Sequence, residues 1–174
     1  MKLKLSKLFI FLSLLSFLIP ELFSANAYAG NLNVLINGKA IHLHPPAGSN
    51  YNEKNWGTGL QYDFDVVHGK WLPFLAASGF IDSLNHPSYY AGGGVMYRTL
   101  FSADPDSWHM DIGAIAFLMT RQNFKHGHAF PGVLPAVSIG TNRIVVNVSY
   151  IPNVMPKMTA LFFFQLKVSL SNLM

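Results

Sequence analysis

The stretch "TALFFFQLKVSL", Thr159 to Leu170, constrains the fold of this chain more than any other. Its pattern has a period of two. Phe162, Phe164, Leu166, Val168 and Leu170 share one side, and Phe163, Gln165, Lys167 and Ser169 share the other. Successive side chains of a strand point to opposite faces, so this is a strand with one wholly apolar face. "RIVVNVSYI" repeats it, with Ile144, Val146, Val148 and Tyr150 set against Arg143, Val145, Asn147 and Ser149. In water that pattern means a core face and a solvent face. In a membrane barrel it means a lipid face and a lumen face.

Period-two alternation recurs along the chain, and helix signals are scarce. It predicts strands over Leu32–Leu43, Asn55–Asp65, Lys70–Ile81, Tyr89–Ser102, Trp108–Arg121, Val133–Gly140, Arg143–Ile151 and Thr159–Leu170. That is an even number of strands, each near the ~10 residues of a tilted membrane strand. The connections "DVVHG", "ADPDS" and "TN" are short, whereas "HPPAGSNYNEK", "DSLNHPS", "QNFKHGHAFPG" and "PNVMPKM" are longer. Strict alternation of short and long is expected of an eight-stranded antiparallel up-and-down transmembrane β-barrel, with turns on the periplasmic side and loops outside. A Greek-key sandwich does not need it. No internal repeat or low-complexity segment interrupts the pattern.

The opening "MKLKLSKLFIFLSLLSFLIP" carries Lys2, Lys4 and Lys7 before an apolar run, and "ANAYAG" follows with small residues at Ala25, Ala27 and Ala29. This is the layout of a signal peptide, expected over residues 1–29 with cleavage after Ala29 or Ala27. Residues 30–174 are then one domain. Removing the leader leaves nine basic and seven acidic residues, a balance too weak and scattered for a nucleic-acid partner. There is no cysteine, hence no disulfide framework and no thiol chemistry. An exported chain this apolar, with no spanning helix in its mature part, suits a sandwich or a membrane barrel.

Candidate chemistry comes from strand direction. With a periplasmic N-terminus, the first and third strands run outward. His42 and His44 then lie at the outer end of the first strand, and Asp82 and Ser83, in "FIDSLNHP", at the outer end of the third. Asp-Ser after a strand reads as an ordinary turn or as a nucleophile with acid–base help, and the residues alone leave both open. His42 and His44 share a parity, so alternation does not choose between them. In "SYYAGGGVMYR", Tyr90, Gly92, Gly94, Met96 and Arg98 are expected inside, the glycines leaving room in a narrow barrel. "DIGAIAFLMTR" is apolar on both faces from Ala114 to Met119, which suits a dry, partly hollow lumen and an acyl chain. His126 and His128 in "KHGHAF" read as solvated loop residues, and no metal site is expected. Arg121 is placed at the rim, as a lipid-phosphate ligand or a snorkelling side chain. Trp56, Trp71 and Trp108 fit interfacial girdles.

The segments "YNEKNWGTG", "FIDSLN", "YAGGG", "MTRQNF", "VLPAVSIG" and "SYIPN" occur in an order and spacing that resembles the PagP family of outer-membrane lipid A palmitoyltransferases. The resemblance runs from about Asn52 to Leu170. It implies an eight-stranded barrel in the Gram-negative outer membrane with an interior acyl-chain pocket. It implies transfer of a palmitoyl group from a glycerophospholipid to lipid A by a monomer without a cofactor. Residue by residue, it implies catalytic roles for His42, Asp82 and Ser83. It implies a pocket floor at Gly94, with Gly92 and Met96 beside it, and a lateral gap flanked by Pro135 and Pro152. The family's second gap has prolines where this chain has Asn37 and Asn55. The enterobacterial N-terminal helix and the terminal aromatic are missing. Two further readings are lipid A deacylation, for which His86 and Ser88 offer an H-x-S pair, and a non-catalytic lipid-binding barrel.

Overall fold

A computed structural model describes residues 30–65, 67–104, 107–153 and 159–170. The expected leader at 1–29 and the C-terminal "SNLM" lie outside the described residues. The chain forms eight strands: β1 (Asn31–His42), β2 (Lys54–Asp63), β3 (Trp71–Ile81), β4 (Pro87–Leu100), β5 (His109–Arg121), β6 (Phe130–Gly140), β7 (Ile144–Ile151) and β8 (Leu161–Ser169). Each strand pairs antiparallel with its sequence neighbour. β1 pairs with β8, from Asn33↔Ser169 to His42↔Leu161, and closes the barrel. Closure pairs every strand on both sides along most of its length, which is what a sheet needs where water cannot satisfy its backbone groups.

All eight predicted strands are present, most within two residues of the expected bounds. β6 starts three residues early, at Phe130, because Pro131 and Pro135 hide its pattern from the sequence. The expected alternation of short and long connections is not strict. The β3–β4 connection at the outer rim spans only 82–86, whereas the inner connections span 64–70 and 101–108. The rim connection is short because Ile81 still pairs with Pro87.

The barrel is apolar on its outside. Leu60, Leu75, Ile112, Leu118, Val133 and Ile144 are among many large hydrophobic side chains that face outward. So extensive an exposed apolar surface suits hydrocarbon and not water. Trp56 projects near the outer end, Trp71 and Trp108 near the inner end, as interfacial girdles require.

The lumen is layered. At its inner end is a charged plug: Lys167 Nζ to Asp63 Oδ2 (2.6 Å), and Arg98 bidentate to Asp111 (2.9 and 2.9 Å) with His109 Nε2 3.0 Å away. The expectation of a dry lumen fails at this layer, and Asn147 and Gln165 add polar side chains to the cavity lining as well. Next come Leu35, Leu72, Phe74, Ala76, Met96 and Ala136, packed with Tyr90 and Ile115.

One irregularity sets up the site. Both pairings of β1 shift register between Asn37 and Lys39. Before the shift Asn33, Leu35 and Asn37 face inward, and after it Ala40 does. A bulge inserts one residue and reverses the parity of the rest of the strand. Without it His42 would point to the outside.

Candidate active site

β3 ends at Ile81, and the chain turns back through Asp82–His86. The Asp82 N–H donates to the His86 carbonyl (2.8 Å) and the Asn85 N–H to the Asp82 carbonyl (3.0 Å). Asn85 takes φ +63°, a left-handed conformation that Asn tolerates well. The Asp82 side chain builds the turn: Oδ1 accepts the N–H groups of Leu84 (2.9 Å) and His86 (3.0 Å). Oδ2 accepts from Ser88 Oγ (3.3 Å) and from Arg121 Nε and Nη2 (3.2 Å each). Asp82 is 2 % exposed and Ser83 9 %. Burial pushes the Asp82 carboxyl up. The two backbone N–H groups and the Arg121 guanidinium outweigh it and hold the carboxyl below the ordinary carboxylate range.

This turn presents Ser83 to the lumen. His42, turned inward by the bulge, places Nε2 3.0 Å from Ser83 Oγ, and its side chain is 3 % exposed. Tyr51 stacks on the imidazole, centroids 4.4 Å apart and planes 13° apart. Asn52 straps the β1–β2 loop to the turn, its N–H donating to the Ser83 carbonyl (2.9 Å) and its amide to the Asp82 carbonyl (3.3 Å). His44, the competing histidine, lies past the end of β1 at φ +52° and is not buried. The shared parity of the two histidines does not operate, because the strand stops at His42. The hydrogen bonds of Asp82 all shape the turn or hold Arg121, and none reaches His42.

Below the pair lies a cavity of about 520 Å³, within the ~300–1,000 Å³ usual for small-molecule sites. Asp82, Ser83 and Arg121 line its mouth, and Phe80, Phe117, Phe163, Phe74, Met96 and Ile115 line its depth. Gly92 and Gly94 do face inward as expected, yet neither leaves open room. A Cβ on Gly94 would sit 2.6 Å from Phe74 Cζ, and one on Gly92 2.7 Å from Phe117 Cβ. The Phe74 ring occupies the space beside Gly94, whereas Gly92 lies against the backbone of β5 at Phe117 and the Phe117 ring rests on Gly132.

The wall is incomplete on one side. β6 pairs with β7 only over Ala136–Gly140, while its outer half, Phe130 to Pro135, pairs with β5 alone. Pro135 is the first residue beyond the β6–β7 ladder, and Pro152 comes directly after the end of β7. Proline has no N–H to extend a ladder. A strand that merely walled a cavity would contribute every second residue. Phe130 to Leu134 all line this one, together with Pro152, so it runs out past the strand edge. Pro135 is a flanking residue, not a lining one.

On the opposite side Asn37 and Asn55 stitch the wall. Asn37 Nδ2 donates to Ser78 Oγ (2.7 Å) and to the Gly79 carbonyl (3.1 Å), and its Oδ1 accepts from Gln165 (2.6 Å). Asn55 Nδ2 donates to the Ile81 carbonyl (2.7 Å). Both are buried, and they close the place where a second gap was in question.

Other candidates fall elsewhere. Ser88 is fully buried and its hydroxyl donates to Asp82, while His86 Nδ1 lies 3.2 Å from Asn123 Nδ2, so the H-x-S pair is not assembled. His126 and His128 are exposed beside a single 3-10 turn, and no cluster of metal-ligating residues occurs among the described residues. Arg121 is neither a free phosphate ligand nor a simple snorkelling residue, because it is paired with Asp82. Glu53 was missed: its Oε1 lies 3.8 Å from His42 Nδ1. Its only signal was its place in "YNEKNW".

Residues 43–166 match the family described as "Antimicrobial peptide resistance and lipid A acylation protein PagP". A lipid A acyltransferase PagP of Bordetella pertussis is 32% identical over 114 residues, 66% of this chain and 60% of the relative. A lipid A palmitoyltransferase PagP of Escherichia coli is 31% identical over 102 residues, 59% of this chain and 53% of the relative. The chain thus matches somewhat over half the length of these curated relatives. Among solved structures, Neisserial surface protein A is 14% identical with a TM-score of 0.44, covering 80% of this chain and 95% of that one. The family match spans the rim turn, the hollow centre and the interrupted β6–β7 wall alike, and the chain belongs to the PagP family.

Proposed function

We propose that this protein is an outer-membrane acyltransferase that moves a palmitoyl chain from a glycerophospholipid to lipid A. The observation that carries the reading is the Ser83–His42 pair at 3.0 Å, set at the mouth of an apolar cavity that opens sideways between β6 and β7. Named relatives act on lipid A, and the external rim is where lipid A would be met.

In this reading the donor's acyl tail slides through the gap beside Pro135 and Pro152 and lies along Phe117, Ile115 and Met96. That brings its ester to Ser83. The cavity holds the tail in line and keeps water from the ester, the two things acyl transfer most requires. His42 Nε2 takes the proton of the hydroxyl that attacks, a task suited to an imidazole near neutral pH. Ser83 either attacks the donor ester itself or holds the lipid A hydroxyl toward His42, and trapping an acyl group on Ser83 separates the two. Asp82 keeps the turn in shape and so positions Ser83. Lys125 at the mouth puts positive charge near the donor's phosphate.

The test is to express the chain in a Gram-negative strain lacking such an enzyme and weigh its lipid A. A gain of one palmitoyl group, abolished by Ser83→Ala, is expected. Loss of an acyl group would mean deacylation. An unchanged mass with the folded barrel in the outer membrane would leave a non-catalytic barrel.

A further inference from the structure

The histidine has a carboxylate behind it, and that carboxylate is not Asp82. For Nε2 of His42 to accept a proton from Ser83, the ring's own hydrogen must reside on Nδ1. Nδ1 is buried and has no hydrogen-bond partner. Facing it is Glu53, with Oε1 3.8 Å away. That is within reach of an ion pair but too long for a hydrogen bond. The Glu53 side chain is 44% exposed, so its carboxylate has room to close the remaining distance.

The surroundings are built for such a closure. Tyr51 stacks flat on the ring and restricts its rotation. Asn52 ties the same loop to the Ser83 and Asp82 carbonyls. The Glu53 carbonyl accepts the Ala40 N–H (3.0 Å), fixing the backbone that carries the carboxylate. Three consecutive residues thus address the ring face, the serine turn and the far nitrogen. Both oxygens of Asp82 are already engaged by Leu84, His86, Ser88 and Arg121.

We propose that Glu53 is a positioning residue for acyl transfer: it holds His42 in the tautomer with hydrogen on Nδ1 and closes onto that N–H when Nε2 takes a proton. The Ser83 O–H bond, or that of the acceptor hydroxyl, breaks and an Nε2–H bond forms. The Nδ1 hydrogen stays on its nitrogen and donates to Oε1, and the carboxylate remains ionised. The other charged groups around the ring are Lys39, 3.8 Å from Glu53 Oε2, and the Asp82–Arg121 pair beside Ser83. The inference rests on the acyl-transfer reading of Ser83 and His42.

The experiment uses the full chain in detergent micelles, with dipalmitoyl phosphatidylcholine as donor and lipid A as acceptor, and compares wild type with Glu53→Gln. The turnover number should fall about 10- to 100-fold, less than the ~10²–10⁴-fold of a whole general base, with donor KM within about twofold. In parallel, the imidazole ¹⁵N spectrum, assigned to His42 by its loss in His42→Gln, should show hydrogen on Nδ1 in wild type and lose that preference in Glu53→Gln. Wild-type turnover in the variant would overturn the proposal. So would a fall in turnover with an unchanged ¹⁵N spectrum, which would assign Glu53 to something other than His42. The tautomer is read without turnover, so a wild-type chain that transfers no acyl group would sink the functional reading while the spectrum still decides whether Glu53 holds the ring.

Discussion

Replacing Asp82 with Asn separates shaping the turn from chemistry at the histidine. The amide has one acceptor oxygen where the carboxylate has two. If that oxygen keeps the N–H groups of Leu84 and His86, the new NH₂ faces Ser88 Oγ, which can turn to accept, and the two Arg121 nitrogens, which can only donate. A hydrogen bond to a charged group contributes ~1.5–3 kcal/mol. Arg121 is 26% exposed, so solvent screens it and the lower part of that range applies, about 2 kcal/mol. At ~1.4 kcal/mol per factor of ten, the native turn loses about 30-fold in population relative to an opened one. Acyl transfer to lipid A should fall by up to that factor, since only the native turn sets Ser83 against His42. Hydrogen exchange at the Leu84 and His86 amides should quicken in parallel, while amides of β3 and β4 keep their protection. Loss of activity with both turn amides still protected would refute this reasoning and place Asp82 in the chemistry. Unchanged exchange at both turn amides would refute it from the other side.

The same geometry has other consequences. Because the Asp82 carboxyl is held below the ordinary range, its stabilisation is complete above that range and is lost only as pH falls through the lowered value. Exchange at Leu84 and His86 should therefore stay slow at pH ~4, where ordinary carboxylates take up protons, and quicken only in more acid solution. Deleting Ile41 leaves the β1 shift in place and puts His42 one step after the inward-facing Ala40, which turns His42 outward. The barrel should still form, with transfer reduced ~10²–10⁴-fold, as for loss of a general base; retained transfer would mean that strand parity does not aim His42. Gly94→Ala drives a methyl group onto the Ala114 carbonyl and to 2.6 Å from Phe74 Cζ, and should cost ~1–3 kcal/mol in urea unfolding. Phe74→Ala empties that space instead and, on the acyl-transfer reading, should admit longer donor chains, read by mass spectrometry of lipid A made from mixed phospholipids.

Much of the architecture was legible because the strands alternate so cleanly. β7 and β8 have the predicted faces, and the inward set Tyr90, Gly92, Gly94, Met96 and Arg98 is the one observed. What was not legible depends on contacts across the lumen. The Phe74 ring fills the space beside Gly94 and the Phe117 ring that beside Gly132, contacts that link β3 to β4 and β5 to β6 and leave no local mark. Lys167 and Arg98 read as polar lumen positions. Their carboxylate partners, Asp63 and Asp111, are fixed only once the barrel closes. The bulge is harder still. "INGKAIH" carries a Gly, yet nothing local says that parity reverses there, and that reversal decides which histidine meets Ser83. Glu53 escaped notice because an acidic residue in a rim loop is ordinary until a buried imidazole nitrogen is found facing it.

The most direct measurement is an experimental structure of the protein with a non-hydrolysable ether phospholipid. The account predicts the alkyl chain inside the barrel among Phe74, Met96, Ile115 and Phe117, entering between β6 and β7, with the ether oxygen within hydrogen-bond reach of Ser83. An alkyl chain packed only on the outer wall, with the lumen filled by water or side chains, would contradict it.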